Sequence, residues 1–235
     1  DKYEEWQGSL HSHTMSPGIR WQLQIADAAT AKSCLRCHAP MTEQLALLSQ
    51  ERGWSRTAAR PPDHVPADLH SQGLVCAACH VRAHTRYGPP PNKPVRDEKA
   101  HGGFQTHTAF TDSRFCATCH QFAEDGPSLN GKLREDTYNQ WQQTRFAAEG
   151  KQCQSCHMPE RRHEWRGIHD SEMTRSALTV RLETESAEKG RLLARAEVIN
   201  SGAGHHFPTY MVPEVLLRLE QVDESGQIIE LARHS

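Results

Sequence analysis

Cys34-Leu35-Arg36-Cys37-His38, Cys76-Ala77-Ala78-Cys79-His80, Cys116-Ala117-Thr118-Cys119-His120 and Cys153-Gln154-Ser155-Cys156-His157 use up all eight cysteines of the chain. Each is a Cys-x-x-Cys-His pentapeptide, the attachment sequence of a c-type haem. The spacing follows from the chemistry. Two thiols add to the two vinyl groups on one haem edge, and the histidine that follows lies under the iron as its proximal ligand. Four disulfides or paired zinc sites would also use eight cysteines, but neither needs a histidine after every pair. With 16 histidines in 235 residues, chance places one after all four pairs with odds of roughly two in 100,000. Cofactor-binding residues are therefore expected at Cys34, Cys37, His38, Cys76, Cys79, His80, Cys116, Cys119, His120, Cys153, Cys156 and His157. Four haem c are the expected cofactors. Their attachment takes place outside the cytoplasm, which predicts a periplasmic or extracellular protein.

Composition agrees with a core that is not all protein. Hydrophobic residues make up 36%, and mean hydropathy is −0.74. Adding the 15 glycines leaves the apolar share below the ~45–50% of ordinary globular domains. Net charge is −2 and the pI about 6.8, so no global field points to nucleic acid or an anionic membrane. No run of ~18 apolar residues reads as a membrane span. The chain starts at Asp1 without an initiator Met, which fits a processed, exported protein. It closes on a strand-like run that leaves room for further residues after Ser235.

The motifs begin at 34, 76, 116 and 153, nearly evenly spaced, without close repetition of the segments between. One echo stands out. Tyr3-Glu4-Glu5-Trp6-Gln7-Gly8-Ser9 resembles Tyr138-Asn139-Gln140-Trp141-Gln142-Gln143-Thr144, with His11 matched by Phe146. Residues 22–50 are helix-friendly, with Leu45, Leu47 and Leu48 as core positions and Gly53 as a stop. Prolines make loops of 60–66 and 87–94. A third helix is expected over 134–149, ended by Gly150. After Met173 the pattern turns to alternation, with strands expected over 177–183, 191–199, 214–220 and 227–231. The expected architecture is mainly α and irregular: a haem-organised cytochrome domain over 1–173, then a small antiparallel β module over 174–235, thin for a sandwich and open to completion by further residues.

Four motif histidines leave twelve: His11, His13, His64, His70, His84, His101, His107, His163, His169, His205, His206 and His234. A lone histidine is ordinarily a surface or core residue, but four irons need filling. An iron with histidine on both faces suits electron transfer, and one with an open face binds small molecules. Met15, Met41, Met158, Met173 and Met211 are further ligand types, of which Met158 adjoins a proximal histidine. Bis-His ligation is the default. His84 is too close to His80 to reach the other face of the same haem.

Several contexts are more specific than the motifs themselves. Trp6-Gln7-Gly8-Ser9-Leu10-His11, Phe115 to His120, Cys153-Gln154-Ser155-Cys156-His157-Met158-Pro159 and His163-Glu164-Trp165-Arg166-Gly167-Ile168-His169-Asp170 resemble the cytochrome c-554 family. Its members are tetrahaem relatives of the hydroxylamine oxidoreductases and pentahaem nitrite reductases. The resemblance covers about residues 3–175. Gly204-His205-His206-Phe207-Pro208-Thr209-Tyr210 resembles a Gly-His-x-x-Pro-Thr-Gly segment in the C-terminal β regions of some multihaem cytochromes, with Tyr210 in place of the last Gly. The resemblance implies haems in close parallel and near-perpendicular pairs, with distal ligands from elsewhere in the chain. It implies His11 as distal ligand of haem three and His107, with His101 in reserve, as that of haem one. His163 and His169 follow as the next two ligands, with His205 (or its neighbour His206) in reserve. Some family members leave one iron five-coordinate. Motif two is the candidate here, because its flanks offer His64, His70 and His84 alone.

These features predict an electron relay between redox partner proteins rather than a catalyst. The alternatives are an oxidoreductase for a small nitrogen or sulfur species at one open haem, and a haem subunit of a membrane-associated complex or self-associating filament. The lysine-containing catalytic haem motif of the pentahaem nitrite reductases is absent from the sequence.

Overall fold

A computed structural model describes residues 1–54, 61–92, 103–188 and 191–234. Contacts group the chain into two compact units: Asp1–Cys119 with Gln152–Arg166, and His120–Lys151 with Gly167–Ser235. This partition differs from a cut at Met173, since the strands after residue 177 share a unit with residues 120–151.

The first unit opens with α1 (Lys2–Gln7), α2 (Pro17–Ile25), α3 (Ala28–His38) and α4 (Thr42–Glu51). Local chemistry sets these limits. Asp1 and Glu4 make a capping box for α1. Pro17 supplies its fixed φ at the first turn of α2. The Asp27 carboxylate accepts the Thr30 N–H at 2.7 Å and starts α3. Beyond α4, Gly53 takes φ +68°, open to glycine at little cost. The helix-friendly stretch 22–50 is therefore the end of α2, all of α3 and most of α4, broken at Ala26-Asp27 and again at Ala39-Pro40-Met41. Their apolar faces hold the core: Met15, Ile19, Leu23, Ala31, Leu35, Ala39 and Leu48 cluster, with Leu45 and Trp54 packed against them. Each fully buried leucine contributes about 1.5–3 kcal/mol.

Ten apolar residues are buried among those described, and eight lie between Met15 and Leu48. The rest of the unit has short elements and little apolar core. It holds α5 (Cys76–His80), β1 (Val81–Arg82), β2 (Thr85–Gly88), β3 (Phe104–Thr106) and most of α6 (Arg114–His120). Strands β1 and β2 are antiparallel, and β2 and β3 parallel. Ala83 and His84, both at positive φ, turn β1 into β2, so His84 serves the turn. Residues 93–102 lie outside the described residues, and with them His101 and part of the proline loop.

The second unit begins with the hairpin of β4 (Ser128–Leu129) and β5 (Lys132–Leu133), then α7 (Thr137–Gln142) and α8 (Arg145–Ala148). The helix expected over 134–149 is broken in the middle. The Thr144 hydroxyl donates to Trp141 O at 2.8 Å and competes with the helix's own ladder. Gly150, at φ +74°, ends α8 as expected. In the first unit, α9 (Cys153–His157) carries motif four.

After α10 (Ser171–Ala177) come β6 (Leu178–Ser186), β7 (Leu192–Asn200), β8 (Leu217–Val222) and β9 (Ile228–His234). The four strands pair as two separate antiparallel hairpins, β6–β7 and β8–β9. In the first, Val180 faces Val198 and Leu182 faces Ala196 on one side, while Arg181 pairs with Glu197 on the other. Among the described residues no helix is long and apolar enough to cross a membrane.

Candidate haem sites

Each pentapeptide lies on a short helix that ends at its histidine: α3, α5, α6 and α9. One helical turn puts cysteines three apart on the same face. None of the eight is in a disulfide. Among the described residues no three or more His, Cys, Asp or Glu side chains converge on a metal-sized site. Burial pushes the Cys79 thiol up, with Cys119 and Cys76 adding to the shift. The Cys116 thiol is pushed up further, first by its hydrogen bond with Cys153 and then by burial.

The motif histidines are held by their backs. His38 donates Nδ1–H to Thr14 O at 2.8 Å, His80 to Tyr87 O at 2.8 Å, and His157 to Arg166 O at 2.6 Å. A carbonyl oxygen only accepts, so Nδ1 carries a proton, which in the neutral ring leaves the lone pair on Nε2. That is the tautomer and fixed orientation a metal-binding histidine needs. His120 differs: its Nδ1 lies 3.8 Å from a Glu135 carboxylate oxygen. These residues fit a covalently held haem: two thiols on one helical face, then an oriented imidazole with a lone pair on Nε2. The sparse apolar core between Cys76 and His157, where Ala78 is the one buried apolar residue among those described, suits a large apolar group as well.

The approaches to the motifs are also built. The buried Gln44 amide donates to Leu69, Gln72 and Gly73 carbonyls at 3.2, 2.9 and 3.0 Å, shaping the run into motif two. Leu74 N–H donates to His11 O at 2.9 Å, and the Thr14 hydroxyl donates to His38 O at 2.7 Å. Motifs three and four are clasped together. Ser113 N–H donates to Gln152 Oε1 at 2.8 Å, Cys153 N–H to Ser113 Oγ at 2.9 Å, and the Gln154 amide to Asp112 O at 2.9 Å. Ser113 is fully buried.

The Tyr-x-x-Trp echo has a matching structure. Trp6 donates its indole N–H to Leu74 O at 2.7 Å, and Trp141 to Lys151 O at 3.0 Å. Each acceptor lies two residues before the first cysteine of a motif. Tyr3 and Trp6 rings are 5.5 Å apart, Tyr138 and Trp141 5.4 Å. Ser9 and Thr144 hydroxyls cap the respective Trp carbonyls.

The histidines expected as distal ligands are placed as follows. His163 is half-buried and donates Nδ1–H to Arg161 O at 3.0 Å. Burial lowers its pKa and the Arg161 hydrogen bond opposes that shift, so at pH 7 the ring is neutral. Its ring centre is 6.0 Å from that of His80, at an interplanar angle of 33°. Trp165 packs edge-on to both His163 and His11, with centres at 5.1 and 4.5 Å. His107 is exposed and its Nδ1 accepts the Ala109 N–H at 3.1 Å, capping a short 3-10 turn. This puts the proton on Nε2, the reverse of the motif histidines. His169 is exposed in the second unit. His205 donates Nδ1–H to His206 O at 2.8 Å, the ligand-type tautomer. His70 uses Nδ1 on Ala67 O and Nε2 on Glu51, which leaves neither nitrogen for iron.

The chain matches no protein-family model, no curated protein and no solved structure. Sequence reasoning did not find the carbonyls of Thr14, Tyr87 and Arg166, the Gln44 amide or the Ser113–Gln152 clasp. A carbonyl acceptor has no residue-type signature. The Tyr-x-x-Trp echo marks a different pair of supports, the indole bonds of Trp6 and Trp141.

Proposed function

We propose that this chain is a tetrahaem c-type cytochrome that relays electrons between redox partner proteins outside the cytoplasm. The observation that carries the reading is the shared Nδ1–H to main-chain hydrogen bond of His38, His80 and His157, which leaves Nε2 of each neutral ring available to a metal. Bound haem supplies a one-electron iron couple. The chain's own residues fix the thiols, orient the imidazoles and set the surroundings. Cys76 and Cys156 are exposed, so the edges of haems two and four would be open to a docking partner. Such transient contacts are small. The clasp at Ser113 and the Cys116–Cys153 contact favour close approach of haems three and four. A resemblance to the cytochrome c-554 family in the motif contexts supports the same reading.

The test is production in a host that attaches haem c, followed by redox titration and stepwise reduction with a low-potential donor. The expected result is four reversible one-electron centres that pass electrons to an acceptor protein and leave nitrite and hydroxylamine unchanged. Turnover of either compound would favour the open-haem oxidoreductase. Absence of haem would end both readings.

A further inference from the structure

His80 and His163 come from separate parts of the chain, and their rings lie near one another in the first unit. Their ring centres are 6.0 Å apart. With metal–imidazole bonds of about 2 Å, two imidazoles on opposite faces of one iron have ring centres about 6 Å apart. Imidazoles on one iron share the ligand axis and are free to differ in rotation about it, so a 33° angle between the planes is admissible. Both rings give Nδ1–H to a main-chain oxygen, Tyr87 O for His80 and Arg161 O for His163. In each the lone pair is therefore left on Nε2.

The surroundings hold this pair in place. Phe110 stacks on His80 at 5.0 Å and 10°, and Trp165 abuts His163 edge-on. Glu5 accepts the His163 backbone N–H at 2.7 Å. Glu160, Arg161 and Trp165 all take positive φ without being glycine. Left-handed backbone at such residues is costly and clusters at functional sites. Here it falls on the segment that brings the His163 ring to 6.0 Å from that of His80.

We propose that His163 is the distal ligand of the haem held by Cys76, Cys79 and His80, which makes that iron six-coordinate and closed to small molecules. This rests on the tetrahaem reading and deepens it. It assigns a ligand to the motif whose own flanks offer His64, His70 and His84 alone, and it removes the haem most open to catalysis.

The experiment uses the full chain with its haems attached, counted by pyridine haemochrome and examined by electron paramagnetic resonance and near-infrared magnetic circular dichroism. The expected result for His163→Ala is an unchanged haem count and one more high-spin iron than the wild type, returned to low spin by added imidazole. Two backgrounds locate that iron. In the Cys76→Ser/Cys79→Ser chain, the same substitution is expected to convert none. In His80→Met/His163→Met, one iron with Met on both faces is expected. An unchanged spin state in His163→Ala, a conversion that persists without haem two, or two separate His–Met irons would each overturn the assignment. A wild-type chain without haem would instead overturn the tetrahaem reading itself.

Discussion

His38, His80 and His157 each give an Nδ1 proton to a main-chain oxygen, and His107 does the reverse. That difference is a single proton, yet it decides which nitrogen holds a lone pair. The pentapeptides mark the first three histidines as candidate proximal ligands. The acceptors were not legible, because Thr14, Tyr87 and Arg166 contribute a carbonyl that any residue has. Position between motifs two and three suggested His107, and the capped turn at Ala109 explains an alternative use for it. Replacing His107 with Ala is predicted to leave every iron's spin state as in the wild type; a new high-spin signal in the absorption spectrum would mean that the turn opens to ligate. Replacing Cys37 with Ser is predicted to disrupt attachment at one site and leave three haems covalently bound, checked by intact mass.

Among the elements, the two Tyr-x-x-Trp helices show most about how motifs are placed. Each sends an indole N–H to the carbonyl two residues ahead of a motif. The Trp6→Phe chain loses that donor at a part-buried site and is predicted to lose about 0.5–1.5 kcal/mol in urea unfolding. Trp141→Phe, at an exposed bond, should lose less. Gly73 shows how close the packing is: a Cβ there would meet the Thr14 hydroxyl and lie 2.5 Å from His11 O. Gly73→Ala is predicted to cost about 1–3 kcal/mol by overpacking, read from the same unfolding curves. The helix that carries motif one depends on its Asp27 cap. Hydrogen bonding by Thr30 holds the Asp27 carboxyl below its ordinary value of 3.8. A lowered folded pKa means stability that is present above pH 3.8 and is lost as pH falls through the folded value. The melting temperature of Asp27→Ala should lie below that of wild type at neutral pH, with the gap closing at acid pH. Alternation and turn residues made the four late strands legible to within a few residues. Their pairing as two hairpins was not, since alternation marks a face and not a partner. The break inside 134–149 has no proline or glycine to mark it in the sequence; it falls at Thr144, whose hydroxyl bonds Trp141 O.

For the whole molecule, the distribution of the core matters most. Eight of the ten buried apolar residues described lie between Met15 and Leu48, around α2 to α4. The segments with motifs two, three and four carry little apolar core, and a low hydrophobic content had hinted at this without saying where. Four haems would supply that interior, and their binding energy would then be folding energy. The two-unit division runs between Cys119 and His120, inside the third motif, which no composition change along the chain marks. The account's central claim is that each pentapeptide holds one haem. The most direct measurement is the intact mass and thiol titration of the chain made with haem-attachment machinery. The account predicts four haems added and none of the eight cysteines reactive after denaturation. Eight reactive thiols on a chain of unmodified mass would contradict it.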